Sequence, residues 1–268
     1  MRHSHRVKGA RESYQMLLGE RRQHILTVIE NEGRVLVGGL SENLGISQIT
    51  IRKDLDYLQS RGLVERTHGG ALSIQVGTME DPSLQEKEAQ HQQEKLRIAA
   101  AAVKLVQEGQ CVMLDSGTTT TALARALRKF HSLTVITNGV NIAAELATTS
   151  FEIILTGGAL RKNSFSLVGP LAEDILREMH ADILFLGVDG FDINVGPTTP
   201  NVLESRVNRH MVESAKCVVV VCDSTKFARI SLARIVPTSA IHHVITDRNL
   251  MPATADALRS LGVEVTLV

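Results

Sequence analysis

A membrane-spanning helix needs about 20 consecutive apolar residues, and this 268-residue chain has no such run. Its first residues, MRHSHRVKGARES, are basic but lack the apolar segment of a secretion signal. They read as a flexible leader over residues 1–18. The expectation is a cytoplasmic protein with no membrane partner. Cysteine is scarce: Cys111, Cys217 and Cys222 lie in apolar strand-like runs without metal-ligand spacing, so reduced, buried thiols are predicted. His242 and His243 are adjacent, and adjacent residues of a strand face opposite ways. No metal, cofactor or catalytic residue is predicted. No heptad run in residues 73–110 marks an oligomer interface. Net charge is also missing, with 29 Lys/Arg against 29 Asp/Glu, but the balance is uneven. Residues 1–75 hold 11 Lys/Arg against 8 Asp/Glu and the remainder 18 against 21, a mildly basic head on a near-neutral body. The hydrophobic content of 43% supports a sizeable core, and the length suits one small and one mid-sized domain.

The head is expected at residues 19–73. Ile25, Val28 and Ile29 share a helical face that ends at Gly33, and a short helix over 36–44 turns Val37, Leu40 and Leu44 inward. A tight Gly45-Ile46-Ser47 turn leads to a third helix, with Ser47 as N-cap. Ile51, Leu55 and Leu58 form its apolar stripe, while Ile49, Arg52 and Lys53 face the other way. Beyond Gly62, residues 63–72 read as two extended arms around a Gly turn, a β-wing. This is a winged helix-turn-helix, which lays its recognition helix in the DNA major groove. Ser47, Gln48, Ile49, Thr50, Arg52 and Lys53 are the candidate contacts from the helix. Arg66, His68, Gly69 and Gly70 are the candidate backbone grip of the wing. Asp54 and Asp56 read as pairing or surface residues. Residues 74–94, polar and Gln/Glu-rich, are expected to be a linker turning helical toward Lys95.

From residue 95 to 268, strands and helices alternate, which predicts a mostly parallel α/β sheet covered on both faces. Strands are expected at 111–115, 133–137, 151–156, 183–188, 218–222, 243–246 and 263–267. Polar residues follow five of them: Asp115-Ser116-Gly117-Thr118-Thr119, Thr137-Asn138-Gly139, Thr156-Gly157-Gly158, Asp189-Gly190 and Asp223-Ser224-Thr225-Lys226. Parallel sheets bind ligands at these carboxyl ends. The 116–120 loop suits phosphate, having hydroxyls, a glycine and a helix N-terminus. Lys226 and Arg161 are candidate cations for the same ligand. Asp189 and Asp192 are candidate acceptors of sugar hydroxyls, with Asp192 equally readable as a turn residue.

Ser47 to Leu55 (SQITIRKDL), then Leu58, Gly62, Arg66 and His68-Gly69-Gly70-Ala71, resemble the signature of the DeoR family of bacterial transcription regulators, with Lys53 where that family usually has a second arginine. Residues 95–268 are similar to the family's sensor domain through Asp115–Thr119, Thr137–Gly139, Gly157-Gly158, Gly187–Gly190 and Asp223–Phe227. The resemblance implies a fold like that of ribose-5-phosphate isomerase and the amino-sugar-phosphate deaminases. Within the family, Asp115–Thr120, Leu184–Asp189, Glu204, Arg206 and Asn208-Arg209 most resemble the N-acetylgalactosamine regulators. That implies galactosamine 6-phosphate or N-acetylgalactosamine 6-phosphate as effector, with Glu204 among the binding residues, and operator DNA bound by a homodimer or homotetramer. The rival expectation is a sugar-phosphate isomerase or deaminase carrying a DNA-binding head, for which Asp189, Asp192 and Glu204 would be the available bases. The isomerases' Lys-Gly-Gly-Gly segment is Asn194–Pro200 here, without a lysine, which favours binding without turnover.

Overall fold

The computed structural model describes residues 18–32, 34–61, 63–67, 69–73 and 81–268. They divide into two compact units, one ending at Ser73 and the other running to Val268. Gly33, Gly62 and His68 lie outside the described residues.

The first unit contains α1 (Leu18–Glu32), β1 (Arg34–Leu36), α2 (Val37–Leu44), α3 (Gln48–Ser60), β2 (Val64–Thr67) and β3 (Gly70–Ser73). The i, i+4, i+7 stripe of α3 buries Ile51, Leu55 and Leu58 completely, against a core that includes Ile25, Leu26, Ile29, Leu40 and Val64. Each such side chain contributes about 1.5–3 kcal/mol. Gly45 ends α2 in the left-handed conformation, φ +64°, which a glycine adopts without steric cost. Ser41 fastens the turn: its hydroxyl donates to the Ile46 carbonyl at 2.6 Å. The wing is a three-stranded antiparallel sheet in the order β1-β3-β2. The expected arms are β2 and β3. The third strand, β1, has only three residues and was not expected.

The second unit is ordered α4 (Leu84–Ala89), α5 (Gln92–Ala102), β4 (Cys111–Leu114), α6 (Thr118–Leu127), β5 (Thr134–Thr137), α7 (Val140–Leu146), β6 (Glu152–Leu155), β7 (Ala159–Arg161), β8 (Ser166–Val168), α8 (Pro170–Arg177), β9 (Ala181–Leu186), β10 (Gly190–Asp192), β11 (Gly196–Thr199), α9 (Val202–Glu213), β12 (Ala215–Val221), β13 (Ala233–Arg234), β14 (His243–Thr246), α10 (Pro252–Ser260) and β15 (Glu264–Leu267). Seven strands make one sheet in the order β15-β14-β12-β9-β4-β5-β6, and every neighbouring pair is parallel. Alternation along each strand divides the core in two. Met113, Leu184, Leu186, Val218 and Val220 pack on one face, and Val112, Leu114, Ile183, Phe185 and Val219 on the other. Both faces are dry, so these strands are continuously apolar. The chain runs outward from β4 through β5 and β6, then returns through β9 to the opposite side of β4. That reversal opens a crevice at the carboxyl ends of β4 and β9.

Residues 81–94, expected as linker, are folded within this unit. Ser83 and Glu86 form a reciprocal capping box that starts α4, and a left-handed His91 separates α4 from α5. Two small antiparallel sheets were also not expected, β7-β8 and β10-β11-β13.

Candidate functional site

The recognition face of the first unit is built as the pattern implies. The Ser47 hydroxyl accepts from the Thr50 amide at 3.3 Å and bonds the Thr50 hydroxyl at 2.9 Å, capping α3. Gln48, Ile49, Arg52 and Lys53 are exposed, Ile49 at 65%, and Arg52 bonds the Gln48 side chain at 3.4 Å. The opposite face is locked by charge: buried Asp54 accepts from Arg21 at 2.5 Å and Arg22 at 2.9 Å. Arg22 also lies 3.6 Å over the Tyr57 ring.

Two of the expected wing residues also have roles within the unit. Arg66 is held within the unit by Asp56 at 2.9 Å and by the Gly70 carbonyl. Gly70 is buried, and a Cβ there would stand 1.8 Å from the Val35 carbonyl oxygen. The missing Cβ admits the backbone of β1. Gly69 is exposed.

In the second unit, the crevice holds a cavity of about 70 Å³. Asp115, Ser116, Gly117, Thr118, Thr119, Asn138, Asp189, Glu204 and Lys226 all line it. Gly117 is the N-cap of α6 and has no side chain to satisfy the first-turn N–H groups, so that end of the helix keeps its anion-binding character. The Asn141 amide holds the loop in place by donating to the Ser116 carbonyl at 3.0 Å and to Thr121 at 2.8 Å. Burial pushes the Asp115 carboxyl up to about 6, against the Thr120 hydroxyl and the Gly187 and Gly117 amides that donate to it; the nearby Asp189 charge raises it further. Burial also opposes ionisation of Asp223, yet the Lys226 charge and the Thr225 hydroxyl outweigh it and hold this carboxyl below its ordinary range. Asn138 lines the cavity, and its side-chain oxygen is buried without a partner among the described residues.

Six expected residues are not among those lining the cavity. The Thr137 hydroxyl donates to the Leu114 carbonyl at 2.7 Å and accepts from the Gly139 amide at 3.0 Å, tying β5 to β4. Gly139 and Gly158 are packing positions, where a Cβ would meet Ser116 Cα at 2.9 Å and the Val168 carbonyl at 2.7 Å. Gly157 is a left-handed turn residue. Asp192 accepts from the Asn194 and Val195 amides, both at 2.9 Å, so its turn reading holds. Arg161 stands behind the wall, paired with Glu204 at 3.2 Å and with Asp81.

Pattern reading missed Leu84, Lys87, Gln90 and His91, contributed by a polar segment with no hydrophobic periodicity, and Lys95 of α5 beside them. It also missed Ser164 and Thr199, which lie on the short strand pairs or their turns.

The carboxylates are committed to partners. Glu204 accepts from Ser166 at 2.7 Å, Thr199 at 3.3 Å, Arg161 and Ser164. Asp189 pairs with Lys87 at 2.5 Å. The Cys222 thiol, also lining the cavity, is pushed well above its ordinary value by burial, so it is no nucleophile. Burial also raises Cys111 and Cys217, which are half-buried. Among the described residues no cluster could hold a metal ion, and no helix is long and apolar enough to cross a membrane.

A winged helix-turn-helix joined to an α/β unit with a polar crevice defines a DNA-binding regulator with a sensor domain. Residues 21–76 match the DeoR-like helix-turn-helix domain and residues 90–248 the DeoR C-terminal sensor domain. The chain belongs to the DeoR family of transcription regulators. It is 43% identical over 93% of its length, and 93% of the relative's, to a protein of Escherichia coli O157:H7 assigned as aga operon transcriptional repressor. It is 39% identical, over 93% of its length and 98% of the relative's, to the HTH-type transcriptional regulator GlpR of Haloferax volcanii. Both near-full-length relatives are named as transcriptional regulators. Among solved structures, ribose 5-phosphate isomerase A of Methanocaldococcus jannaschii matches 50% of this chain and 53% of its own at 19% identity, with a TM-score of 0.38.

Proposed function

We propose that this protein is a cytoplasmic repressor of a sugar or amino-sugar catabolic operon, released from its operator when a phosphorylated sugar enters the second unit. The observation that carries this reading is the crevice at the β4–β9 reversal. There the uncapped N-terminus of α6, Lys226 and Asn138 line one cavity. The α6 end and Lys226 suit a phosphate. Asn138 and the Asp115 and Asp189 carboxylates suit the hydroxyl or amino donors of a sugar. The relative assigned to the aga operon favours galactosamine 6-phosphate or N-acetylgalactosamine 6-phosphate. Gln48, Ile49, Thr50, Arg52 and Lys53 face the operator, and paired half-sites call for a homodimer or homotetramer.

The test uses an operator selected from a random DNA pool with the wild-type protein, then a panel of sugar phosphates in a gel-shift titration. At least one should lower DNA affinity and raise the melting temperature of the free protein. A panel in which no compound does both would remove the sensor half of the reading.

A further inference from the structure

The cavity has a roof made from residues 81–91, the first described residues after β3 in sequence. Residues 81–91 cross it, and Leu84, Lys87, Gln90 and His91 face inward. Helix α4 buries none of its residues, so the segment is not held by the apolar core. Its attachments are polar, and one of them ends on the site. Lys87 Nζ lies 2.5 Å from Asp189 Oδ1. Asp81 pairs with Arg161, which in turn holds Glu204. The Leu84 backbone amide donates to the Asn163 carbonyl at 2.8 Å, the Asn163 side-chain Nδ2 donates to the Asp81 carbonyl at 2.7 Å, and Lys95 caps the far end by donating to the Lys87 and Gln90 carbonyls.

Two consequences follow from this arrangement. The space beneath the segment is about 70 Å³ with the segment in place, and lifting it would enlarge the pocket toward the roughly 300 Å³ and above of small-molecule sites. The other walls include the carboxyl ends of β4, β9 and β12 with the loops that follow them, the start of α6, and residues of α9, β11 and the β7–β8 turn. The segment can lift by breaking partly exposed polar contacts, which exchange easily. In addition, Asp189 is occupied at both oxygens, by Lys87 at Oδ1 and by the Thr199 hydroxyl at Oδ2, 3.2 Å away. A ligand donor reaching Oδ1 competes with Lys87 for it.

We propose that residues 81–91 are a strap that closes the pocket, with Lys87 seated on Asp189 in the position taken by a hydroxyl or amino group of the ligand. Ligand binding therefore expels the strap's own cation. Only residues 74–80 separate the strap from β3 of the wing, so its release is the signal passed to the first unit. This rests on the sugar-phosphate reading of the pocket, but the strap itself is testable without any ligand.

Hydrogen–deuterium exchange on the full chain compares wild type with Lys87→Met. The amides of 84–91 should exchange about fivefold faster in the variant, with β4 and β9 unchanged as a check on folding. The charge-swapped pair Lys87→Asp/Asp189→Lys should restore protection. Unchanged exchange at 84–91 in Lys87→Met would overturn the strap whatever the ligand. Calorimetry with galactose 6-phosphate and galactosamine 6-phosphate then separates the hydroxyl from the amino source. Whichever binds wild type should bind Lys87→Met about fivefold tighter, since a site that must first open binds in proportion to its open fraction. Weaker binding by the variant would make Lys87 a ligand contact and sink the competition. If neither sugar binds wild type, the ligand assignment of the pocket fails, and exchange alone decides the strap.

Discussion

Asp115 shows how one buried carboxylate ties stability to the site. Its carboxyl is raised to about 6 chiefly by burial, whereas in the unfolded chain it titrates near 3.8. The folded state therefore holds a proton that the unfolded state loses between those values. The stabilisation linked to that proton is complete below about pH 4 and is lost as pH rises through 6. Asp115→Asn, which never ionises, should be more stable than wild type by about 1–3 kcal/mol above pH 7, the margin narrowing to near zero by pH 4. Urea midpoints of the two proteins across this range measure it, and a margin independent of pH would contradict the assignment. The same variant should lose its response to effector, because the ionised acceptor is kept at a cost in stability. Gly70 is a contrasting residue. Its type was legible from the sequence, but the reason for it was not. A glycine pair in a wing suggests close approach to DNA, while the structure shows the Val35 carbonyl oxygen 1.8 Å from the position of a Cβ. Gly70→Ala should thus destabilise the first unit by roughly 2–4 kcal/mol, seen as an earlier thermal transition of that unit with effector binding unchanged.

At the scale of elements, legibility followed burial and length. Helix α3 declared itself because its apolar stripe and its N-cap agree with its turn, and the seven central strands because both their faces are dry. The three-residue strands β1, β7, β8 and β10 were too short to show a period, and α4 buries nothing, so no hydrophobic pattern could mark it. The pocket was legible in the same proportion: loops that follow long strands were found, and the wall supplied by α4 was missed. Function divides α3 and the wing differently from charge alone. Arg52 is exposed and free of any acidic partner among its described contacts, bonding only Gln48 at 3.4 Å. Arg66 is bound to Asp56 and to the Gly70 carbonyl. Arg52→Ala should weaken operator binding by about 1–3 kcal/mol if it reads a base, with relaxed selectivity at that position. Arg66→Ala should act mainly by loosening the wing, lowering the stability of the unit before affinity. Fluorescence anisotropy at fixed salt, paired with thermal melts of each variant, separates the two routes. Equal affinity losses at unchanged stability would return Arg66 to the operator contacts.

For the whole molecule, the proposed function requires a coupling between the two units, which is a free energy between sites and therefore reciprocal. If a sugar phosphate weakens operator binding by some factor, saturating operator must weaken sugar-phosphate binding by the same factor. Strap release gives that symmetry a physical form. A pocket that must expel Lys87 from Asp189 to admit its ligand binds more tightly when the strap is already loose, and DNA that selects the strapped state makes expulsion harder. Couplings of this kind are typically about 1–3 kcal/mol, or roughly 5–150-fold. The measurement is a calorimetric titration of effector into free protein and into protein saturated with operator, set beside the operator affinity with and without effector. The two ratios should agree in wild type. In Lys87→Met both should fall together toward one, with effector affinity for the free protein increased. Ratios that disagree in wild type would mean a third state, such as a change of oligomer, lies between the sites. A coupling undiminished in Lys87→Met would mean that the signal leaves the pocket by a route other than the strap.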